Sequence, residues 1–196
     1  MNRRVKNTIR KVIYIVIFIA MITCFIYLGN KYTSDDKEKI LTINDYYKNI
    51  NKNRYEIVRG AKIISLLKKG NHLIMIGNKD SKYSQKYIEE LDIILEELEI
   101  DKVYYYDLIN DKAQANSNYY EIVELLEGHL TTTDTSDNNL LSPSFYIVTD
   151  GKVNYYNVET SAMKNTDTIE SYWNVQNEFN FKQEISSAIN KYYLNK

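Results

Sequence analysis

The sequence predicts an α/β protein in which a central mixed β-sheet is flanked by helices and preceded by one transmembrane helix. Three observations lead to this fold class. An uncharged, mostly apolar segment runs from residue 12 to residue 30. Beyond it, short strand-like apolar runs are separated by segments with apolar residues at helical spacing. Near the C-terminus an Asp-Gly pair separates two strand-like segments and predicts a hairpin, so antiparallel strands join the parallel ones.

Length and composition limit the classes of function. The 196 residues accommodate one ordinary domain and a short extra segment, because domains usually span about 100 to 200 residues. Five basic residues precede the apolar segment, which leaves 20 of the 25 Lys and Arg against all 26 Asp and Glu. This acidic remainder repels phosphate, so we expect no nucleic-acid binding. One Cys excludes an internal disulfide, two His exclude a His-rich metal cluster, and we predict neither metal nor cofactor.

The apolar segment from residue 12 to 30 has the length of a membrane-spanning helix. A buried core helix would need a larger protein around it, and a cleavable signal peptide lacks its small-residue cleavage motif here. Cys24 follows a weakly lipobox-like tripeptide, but the apolar run continues past it, so we treat it as an ordinary membrane residue. The basic residues place the N-terminus in the cytoplasm by the positive-inside rule. We therefore predict a single-pass cell-membrane protein with its domain outside the cytoplasm and the lipid bilayer as one partner.

This interpretation divides the chain into four parts. Residues 1–11 form a basic cytoplasmic tail, 12–30 the transmembrane helix, 31–53 a spacer and 54–196 the extracytoplasmic domain. The spacer is either a simple linker or a short amphipathic helix, because its apolar residues recur at helical spacing. These apolar residues are Ile40, Ile43, Tyr46, Tyr47 and Ile50.

The domain alternates between strand and helix patterns. Strands are predicted at 55–58, 72–76, 102–108, 144–149 and 152–157, and helices at 61–69, 81–98, 119–130 and 181–194. Gly70 and Gly128 stand where helices should end, and Asp150-Gly151 forms the hairpin turn. The longest helix has one apolar face that we expect to be buried. Its acidic residues lie largely off that face: Glu89, Glu90, Asp92, Glu96 and Glu97. Residues 131–139 are predicted to be a polar loop, and 158–180 show no period.

Two local patterns carry a family resemblance. Residues 77–87 (GNKDSKYSQKY) follow the central strand and open the longest helix, and 142–152 (SPSFYIVTDGK) place a proline before a strand and the hairpin. Over residues 55–194 the chain resembles thioredoxin-like proteins, and in particular the membrane-anchored bacteriocin-transport accessory proteins of Gram-positive bacteria. Their turn often reads Gly-x-x-x-Cys-x-Tyr-Cys. The resemblance implies a cis-proline loop at Ser142, Pro143 and Ser144, although the residues alone leave the isomer undecided.

The chain departs from this family at the two cysteine positions. The turn reads Ser81-Lys82-Tyr83-Ser84, so the Cys-x-x-Cys is replaced by Ser-x-x-Ser. Dithiol exchange needs a thiolate, which a hydroxyl cannot supply. Thiol-disulfide chemistry is therefore excluded, we predict no catalytic residue, and Ser81 or the adjacent Asp80 is expected to cap the helix.

Other interpretations of polar residues are weaker. A serine nucleophile would need His72 or His129 as a base, but His72 lies at the far end of its strand from the turn and His129 follows a helix. Asp134 and Asp137 lie in a Thr-rich loop without the glycine and distal glutamate of a calcium loop, so a solvated loop is favoured. The acidic helix face is most simply solvated, with docking of a basic partner as the alternative.

Three residues are candidate binding positions: Tyr83, Pro143 and Trp173. Tyr83 should project toward solvent beside Pro143, either as an anchor for a bound peptide or as an exposed aromatic that packs on its own loop. Trp173, in the segment without a period, is either local core or a binding anchor.

The resemblance implies a redox-inactive, membrane-anchored protein that acts by binding. We expect an accessory component of a cell-envelope system for peptide or bacteriocin export, immunity or secretion, with an envelope protein or peptide as its partner. The alternatives are a thiol-independent enzyme that uses Ser81 or Ser84, and a substrate-holding partner of a Cys-bearing oxidoreductase. The sequence makes no prediction of oligomeric state.

Overall fold

The computed structural model describes Tyr14, Val16, Phe18 and residues 20–23, 41–51, 53–132, 138–159, 163 and 168–194. The chain divides into two compact units, Met1–Ile40 and Leu41–Lys196. In the first unit the described residues are helical. A search of the described residues finds no helix that combines the length and apolarity needed to cross a bilayer. The predicted tail, most of the predicted transmembrane segment 12–30 and residues 31–40 of the spacer lie outside the described residues.

The second unit contains the predicted α/β elements. Its strands are β1 Tyr55–Ile57, β2 His72–Gly77, β3 Val103–Asp107, β4 Thr131–Thr132, β5 Asn138–Asn139, β6 Ser144–Thr149 and β7 Lys152–Asn157. Its helices are α1 Gly60–Lys68, α2 Lys82–Glu97, α3 Ile109–Ala113, α4 Ser117–Leu125, α5 Ile169–Tyr172 and α6 Val175–Ile189. A 3₁₀ turn at Ile43–Asp45 precedes them, and a π-helical turn at Asn190–Leu194 follows α6.

Five strands form one mixed sheet in the order β1-β3-β2-β6-β7. Strands β1 and β2 run parallel to β3, while β6 is antiparallel to β2 and β7 is antiparallel to β6. Strands β1, β2 and β3 can run parallel because a helix connects each of them to the next in the chain, whereas the hairpin joins the antiparallel strands β6 and β7. The central mixed sheet with flanking helices matches the predicted thioredoxin-like fold.

Both faces of the sheet are covered by helices. Successive side chains along each strand point to opposite faces, so each strand contributes to both halves of the core. One face packs against α2 and α6, and the other packs against α1 and α4. The first face carries Leu73, Met75, Val103, Tyr105, Phe145 and Ile147. The second carries Ile74, Ile76, Tyr106, Tyr146 and Val148. This two-sided burial explains why β2 and β6 show continuous apolar runs in the sequence.

The predicted glycine signals are confirmed. The hairpin β6–β7 turns at Asp150 and Gly151, which both have positive φ, at 53° and 70°. A Cβ at Gly151 would lie 2.4 Å from the carbonyl oxygen of Lys68, so this turn has room for glycine alone. Gly70 follows α1 with a φ of 82°, as expected for a helix-terminating residue.

Several predicted boundaries were wrong. Helix α6 begins at Val175 rather than Phe181, because the Asn174 side chain caps it by accepting from the backbone N–H groups of residues 176 and 177. Helix α4 ends at Leu125, before Gly128. The periodicity analysis missed the short elements, because a helix of less than two turns and a strand of two residues show no repeating pattern. These elements are α3, α5 and the β4–β5 pair inside the predicted polar loop.

Part of the predicted spacer belongs to the domain. We call residues 41–51 the strap. Its apolar residues Ile43, Tyr47 and Ile50 are buried in the core against the α2 side of the sheet. The strap runs beside α2: the Gln85 side chain donates to the carbonyl of Lys48. The compact unit therefore begins at Leu41, and the helical spacing of the apolar residues reflects burial rather than a free spacer.

A buried ion pair connects the residue before β1 to α2. The guanidinium of Arg54 bonds the carboxylate of Asp92, and it donates to the carbonyls of Asp92 at 3.1 Å and Ile100 at 2.9 Å. The other carboxylate oxygen accepts from the backbone N–H of Asn51 at 3.0 Å. Both side chains are buried. The predicted placement of Asp92 off the buried helix face was wrong, because Arg54 supplies the partner that burial of a carboxylate requires.

Asp92→Asn should lower the free energy of unfolding by about 3 to 5 kcal/mol, because it leaves the Arg54 charge buried without its counter-ion. Urea denaturation followed by circular dichroism measures this loss. Glu96→Gln, at an exposed carboxylate on the same helix, is the matched control and should change stability by less than about 0.5 kcal/mol. Equal effects of the two substitutions would contradict the assigned role of the pair.

Candidate functional site

The turn between β2 and α2 has the geometry of a capped helix start. Ser81 is the N-cap of α2, and its side chain accepts from the backbone N–H of Ser84 at 3.4 Å. The turn is closed by the Asn78 carbonyl, which accepts from the Ser81 N–H at 2.9 Å. The Asn78 side chain accepts from the N–H of Asp80 at 2.9 Å. The prediction that Ser81 or Asp80 caps the helix is confirmed for Ser81.

Ser84 is a structural residue of the turn. Its exposed fraction is 0%, and its hydroxyl accepts from the backbone N–H of Asn78 at 3.1 Å. The hydroxyl also interacts with the hydroxyl of Tyr47 from the strap. A hydroxyl that is sealed from solvent and used in this way cannot attack a substrate without opening of the turn.

A pair of buried tyrosines lies beneath the turn. The hydroxyls of Tyr47 and Tyr105 are 2.7 Å apart, and the ring of Tyr46 is 5.9 Å from that of Tyr105. Burial raises the pKa of both buried phenols, Tyr47 and Tyr105, so both stay protonated at neutral pH. A Cβ at Gly77 would lie 2.6 Å from the Tyr105 hydroxyl, so the close approach requires glycine there.

The proline loop lies at the same end of the sheet. The Ser142–Pro143 peptide bond is cis, as the resemblance implied. Ser144 pairs with Ile76 in the sheet, which places Pro143 next to Gly77 and the turn. The Ser144 hydroxyl is buried and donates to the carbonyl of Leu141 at 2.9 Å. The structure therefore brings the predicted turn and the predicted proline loop together.

Only part of this predicted surface is accessible. Lys82 is exposed, while Ser81, Tyr83 and Ser142 are half-buried. Tyr83, in the first turn of α2, packs partly against the core, so only part of its side chain is accessible to solvent. Pro143 itself is buried. The accessible surface of the site therefore consists of Lys82 and the exposed parts of Ser81, Tyr83 and Ser142.

Asp107 completes the site from the end of β3. Its carboxylate accepts at 3.4 Å from the backbone N–H groups of both Lys79 and Ile109. The Lys79 ammonium lies 4.0 Å from the other carboxylate oxygen and 5.7 Å from the centre of the Tyr46 ring. Burial raises the pKa of Asp107, partly offset by these N–H groups and Lys79. Sequence analysis missed Asp107 and Tyr47, although the helical spacing within the strap marked Tyr47 as an inward residue.

Trp173 packs in the domain core. Its side chain is 5% exposed, and its ring lies edge-on to Phe181 at 5.1 Å and to Tyr87 at 6.5 Å. The indole N–H donates to the sulfur of Met163 at 3.2 Å. Of the two roles left open by the sequence, this geometry supports local core and leaves no face for a binding anchor.

Neither histidine serves as a base for the serines. His72 begins β2, at the end of the strand opposite the turn, and its ring nitrogen contacts the Lys69 carbonyl at 2.9 Å. His129 stacks on Tyr156 and contacts the carbonyl of Val153 at 3.4 Å. Val153 pairs with Val148, which pairs with His72, so both histidines lie at the far end of the sheet.

Among the described residues, no group of three or more His, Cys, Asp or Glu could hold a metal ion. Asp134 and Asp137, weighed as calcium ligands, lie outside the described residues.

Comparison with known proteins finds similarity among solved structures. No protein-family model matches the sequence, and no curated protein matches it. Among solved structures, thioredoxin O2 from Arabidopsis thaliana in its oxidized state matches with a TM-score of 0.37 and 9% sequence identity. The match covers 59% of this chain and 96% of the thioredoxin. The five-stranded mixed sheet with flanking helices matches the thioredoxin-like fold expected from the sequence.

The N-cap position should activate a thiol placed there. In a Cys24→Ser background, Ser81→Cys is expected to react with iodoacetamide faster at pH 7 than Ser187→Cys, because the N-terminus of α2 favours a thiolate. Ser187 is exposed near the C-terminal end of α6 and provides the matched control with the opposite dipole. Rates measured by mass spectrometry that are equal at both sites would argue against an intact helix-start site.

Asp107→Asn should increase the free energy of unfolding more at pH 7 than at pH 3. The pKa of Asp107 is raised in the folded state, so the wild type loses stability as pH rises through that pKa. Below about pH 3.9, the usual pKa of the unfolded group, the carboxyl is protonated in both states and the difference disappears.

Urea denaturation at the two pH values measures this effect, with the exposed Asp101→Asn as the control for loss of charge. A larger gain at pH 3 than at pH 7 would contradict the raised pKa.

Proposed function

We propose that this chain is a redox-inactive, membrane-anchored thioredoxin-like protein that works by binding, as an accessory component of a cell-envelope system. The proposal includes a cytoplasmic N-terminus, a transmembrane helix over residues 12–30 and an extracytoplasmic domain. Peptide or bacteriocin export, immunity and secretion are the systems that the sequence resemblance suggests. The proposal rests first on the environment of Ser84.

Ser84 stands where relatives carry a cysteine, and its surroundings support a structural role. The side chain is fully buried and its hydroxyl is occupied by the Asn78 N–H and by Tyr47. A hydroxyl forms no disulfide. A catalytic role for this position would require both exposure and a base, and the two histidines lie at the far end of the sheet. These contacts favour a binding protein over a thiol-independent enzyme.

The accessible part of the site suits an extended peptide. The β2–α2 turn and the loop before the buried Pro143 lie at one end of the sheet, where Lys82 is exposed and Ser81, Tyr83 and Ser142 are partly exposed. Extended peptides bind through main-chain hydrogen bonds, and neighbouring side chains add specificity. The proposed partner is therefore an envelope protein that presents an extended segment, or a free peptide.

Photocrosslinking in the native membrane tests this proposal. A photoreactive phenylalanine replaces Tyr83 in one variant and Tyr120 in a matched control, because Tyr120 is 59% exposed and lies on α4, which packs on the opposite face of the sheet. We expect one envelope protein or peptide to be captured from position 83 and not from position 120. Mass spectrometry of the adduct identifies the partner.

The identity of the adduct separates the remaining functions. A partner with a Cys-x-x-Cys motif would replace the accessory role by that of a substrate-holding partner of an oxidoreductase. Capture that is equal at the two positions, or absent at position 83, would overturn the proposed site.

A further inference from the structure

A groove between α2 and α6 exposes an apolar surface distant from the turn. Its volume is about 270 Å³, and its apolar lining consists of Ile93, Ile94, Val175, Phe179 and Phe181. Ile93 is 52% exposed, Val175 84% and Phe179 56%. Exposed apolar side chains that occur singly need no explanation, but three around one groove indicate an interaction surface.

The floor of the groove is preformed. Ile94 and Phe181 are buried, and the Phe181 ring packs at 5.1 Å against both Tyr87 and Trp173. Close packing in the core fixes these two side chains. A partner would therefore meet an existing apolar depression between two helices and would not have to open the core.

The rim of the groove is acidic. Lys86 bonds Glu90 and lies 3.9 Å from Glu178, and Lys182 bonds Glu97 at 2.5 Å. These five side chains leave one excess negative charge.

Further negative charge lies at the C-terminal end of α2. Glu96 and Glu99 are exposed there, and the last turn of α2 contains no basic residue. A helix C-terminus carries a partial negative charge and is normally accompanied by cations. The end of α2 beside Ile93 thus has a negative potential that its own side chains leave uncompensated.

We infer that this groove is a docking site for a basic amphipathic helix of a partner protein. Apolar side chains at positions i, i+3 and i+4 of such a helix would contact Ile93, Val175 and Phe179, and its flanking Lys or Arg would face Glu96 and Glu97. A second copy of this chain would place the two acidic rims against each other. An anionic lipid surface would be repelled by the same charges.

The groove is a site in addition to the turn. Lys82 and Ile93 are separated by three turns of α2, or about 16 Å along the helix axis. The two surfaces lie on the same rigid helix, and a partner can occupy one without covering the other. A test of the docking site is consequently independent of the proposed function at Tyr83.

The test uses the full chain in phosphatidylcholine nanodiscs and a dye-labelled synthetic helical peptide of 18 residues. The peptide carries Leu at i, i+3, i+4 and i+7 and Lys on its flanks, and a second peptide carries Glu in place of Lys. We expect the basic peptide to bind at least about tenfold more tightly than the acidic one, with affinity falling as salt rises. Empty nanodiscs are the blank.

Substitutions locate the binding. Val175→Ser with Phe179→Ser should weaken binding of the basic peptide by about tenfold, because two exposed contacts are lost. Glu96→Lys should weaken it without altering the apolar lining. Tyr120→Ser removes an equally exposed aromatic outside the groove and should leave binding within about twofold of wild type. Hydrogen exchange should show protection within residues 90–97 and 175–182.

Three results would overturn the inference. Equal binding of the two peptides would remove the charge argument. Unchanged binding in the Val175→Ser, Phe179→Ser variant would place the peptide elsewhere. A dimer in sedimentation that this double variant abolishes would assign the groove to a second copy of the chain.

Discussion

The buried ion pair of Arg54 and Asp92 is the constraint on which the arrangement of the domain depends. It joins the residue before β1 to the middle of α2, and its hydrogen bonds reach Asn51 in the strap and Ile100 in the loop before β3. Each buried charge is tolerable only because the other and the backbone groups satisfy it. Helix α2 is thereby fixed in register with the strap, and the strap places Tyr47 beneath the turn.

The position of Tyr47 determines the chemistry of the turn. Its hydroxyl contacts Tyr105 and Ser84, so a network of neutral hydroxyls occupies the region where a redox-active relative would keep its thiols. Burial keeps the tyrosine hydroxyls protonated, and the network therefore contributes structure rather than proton transfer. Asp107 lies at the border of this network, and burial disfavours the charged form of its carboxyl group as well.

The two ends of α2 differ in charge and in what surrounds them. At the N-terminal end the caps and the turn satisfy the free N–H groups, and exposed Lys82 stands beside the proline loop. At the C-terminal end glutamates surround an apolar groove shared with α6. The helix dipole adds to the charge at each end, because its positive end meets Lys82 and its negative end meets the glutamates. The two ends of α2 thus differ in their surroundings, with a capped polar turn at one end and an apolar groove at the other.

The sequence by itself determined the α/β class, the order of the main strands and helices, the Asp150-Gly151 hairpin and a helix cap at Ser81 or Asp80. These features follow from local chemistry: alternation of apolar residues, positive-φ turn residues and side chains that accept from free N–H groups. The sequence also excluded dithiol chemistry, because neither Ser81 nor Ser84 can form a thiolate.

Only the tertiary structure decided where the domain begins, which carboxylate is buried and what covers the serine turn. Asp92 has the same charge as Glu96, and its burial depends on Arg54, which is 38 residues away in the chain. Tyr47 reaches Tyr105 across 58 residues, and the exposed groove exists only because α2 and α6 pack side by side. Contacts between residues so distant in sequence leave no local periodicity, which is the physical reason that the buried ion pair, the Tyr47–Tyr105 contact and the groove escaped prediction.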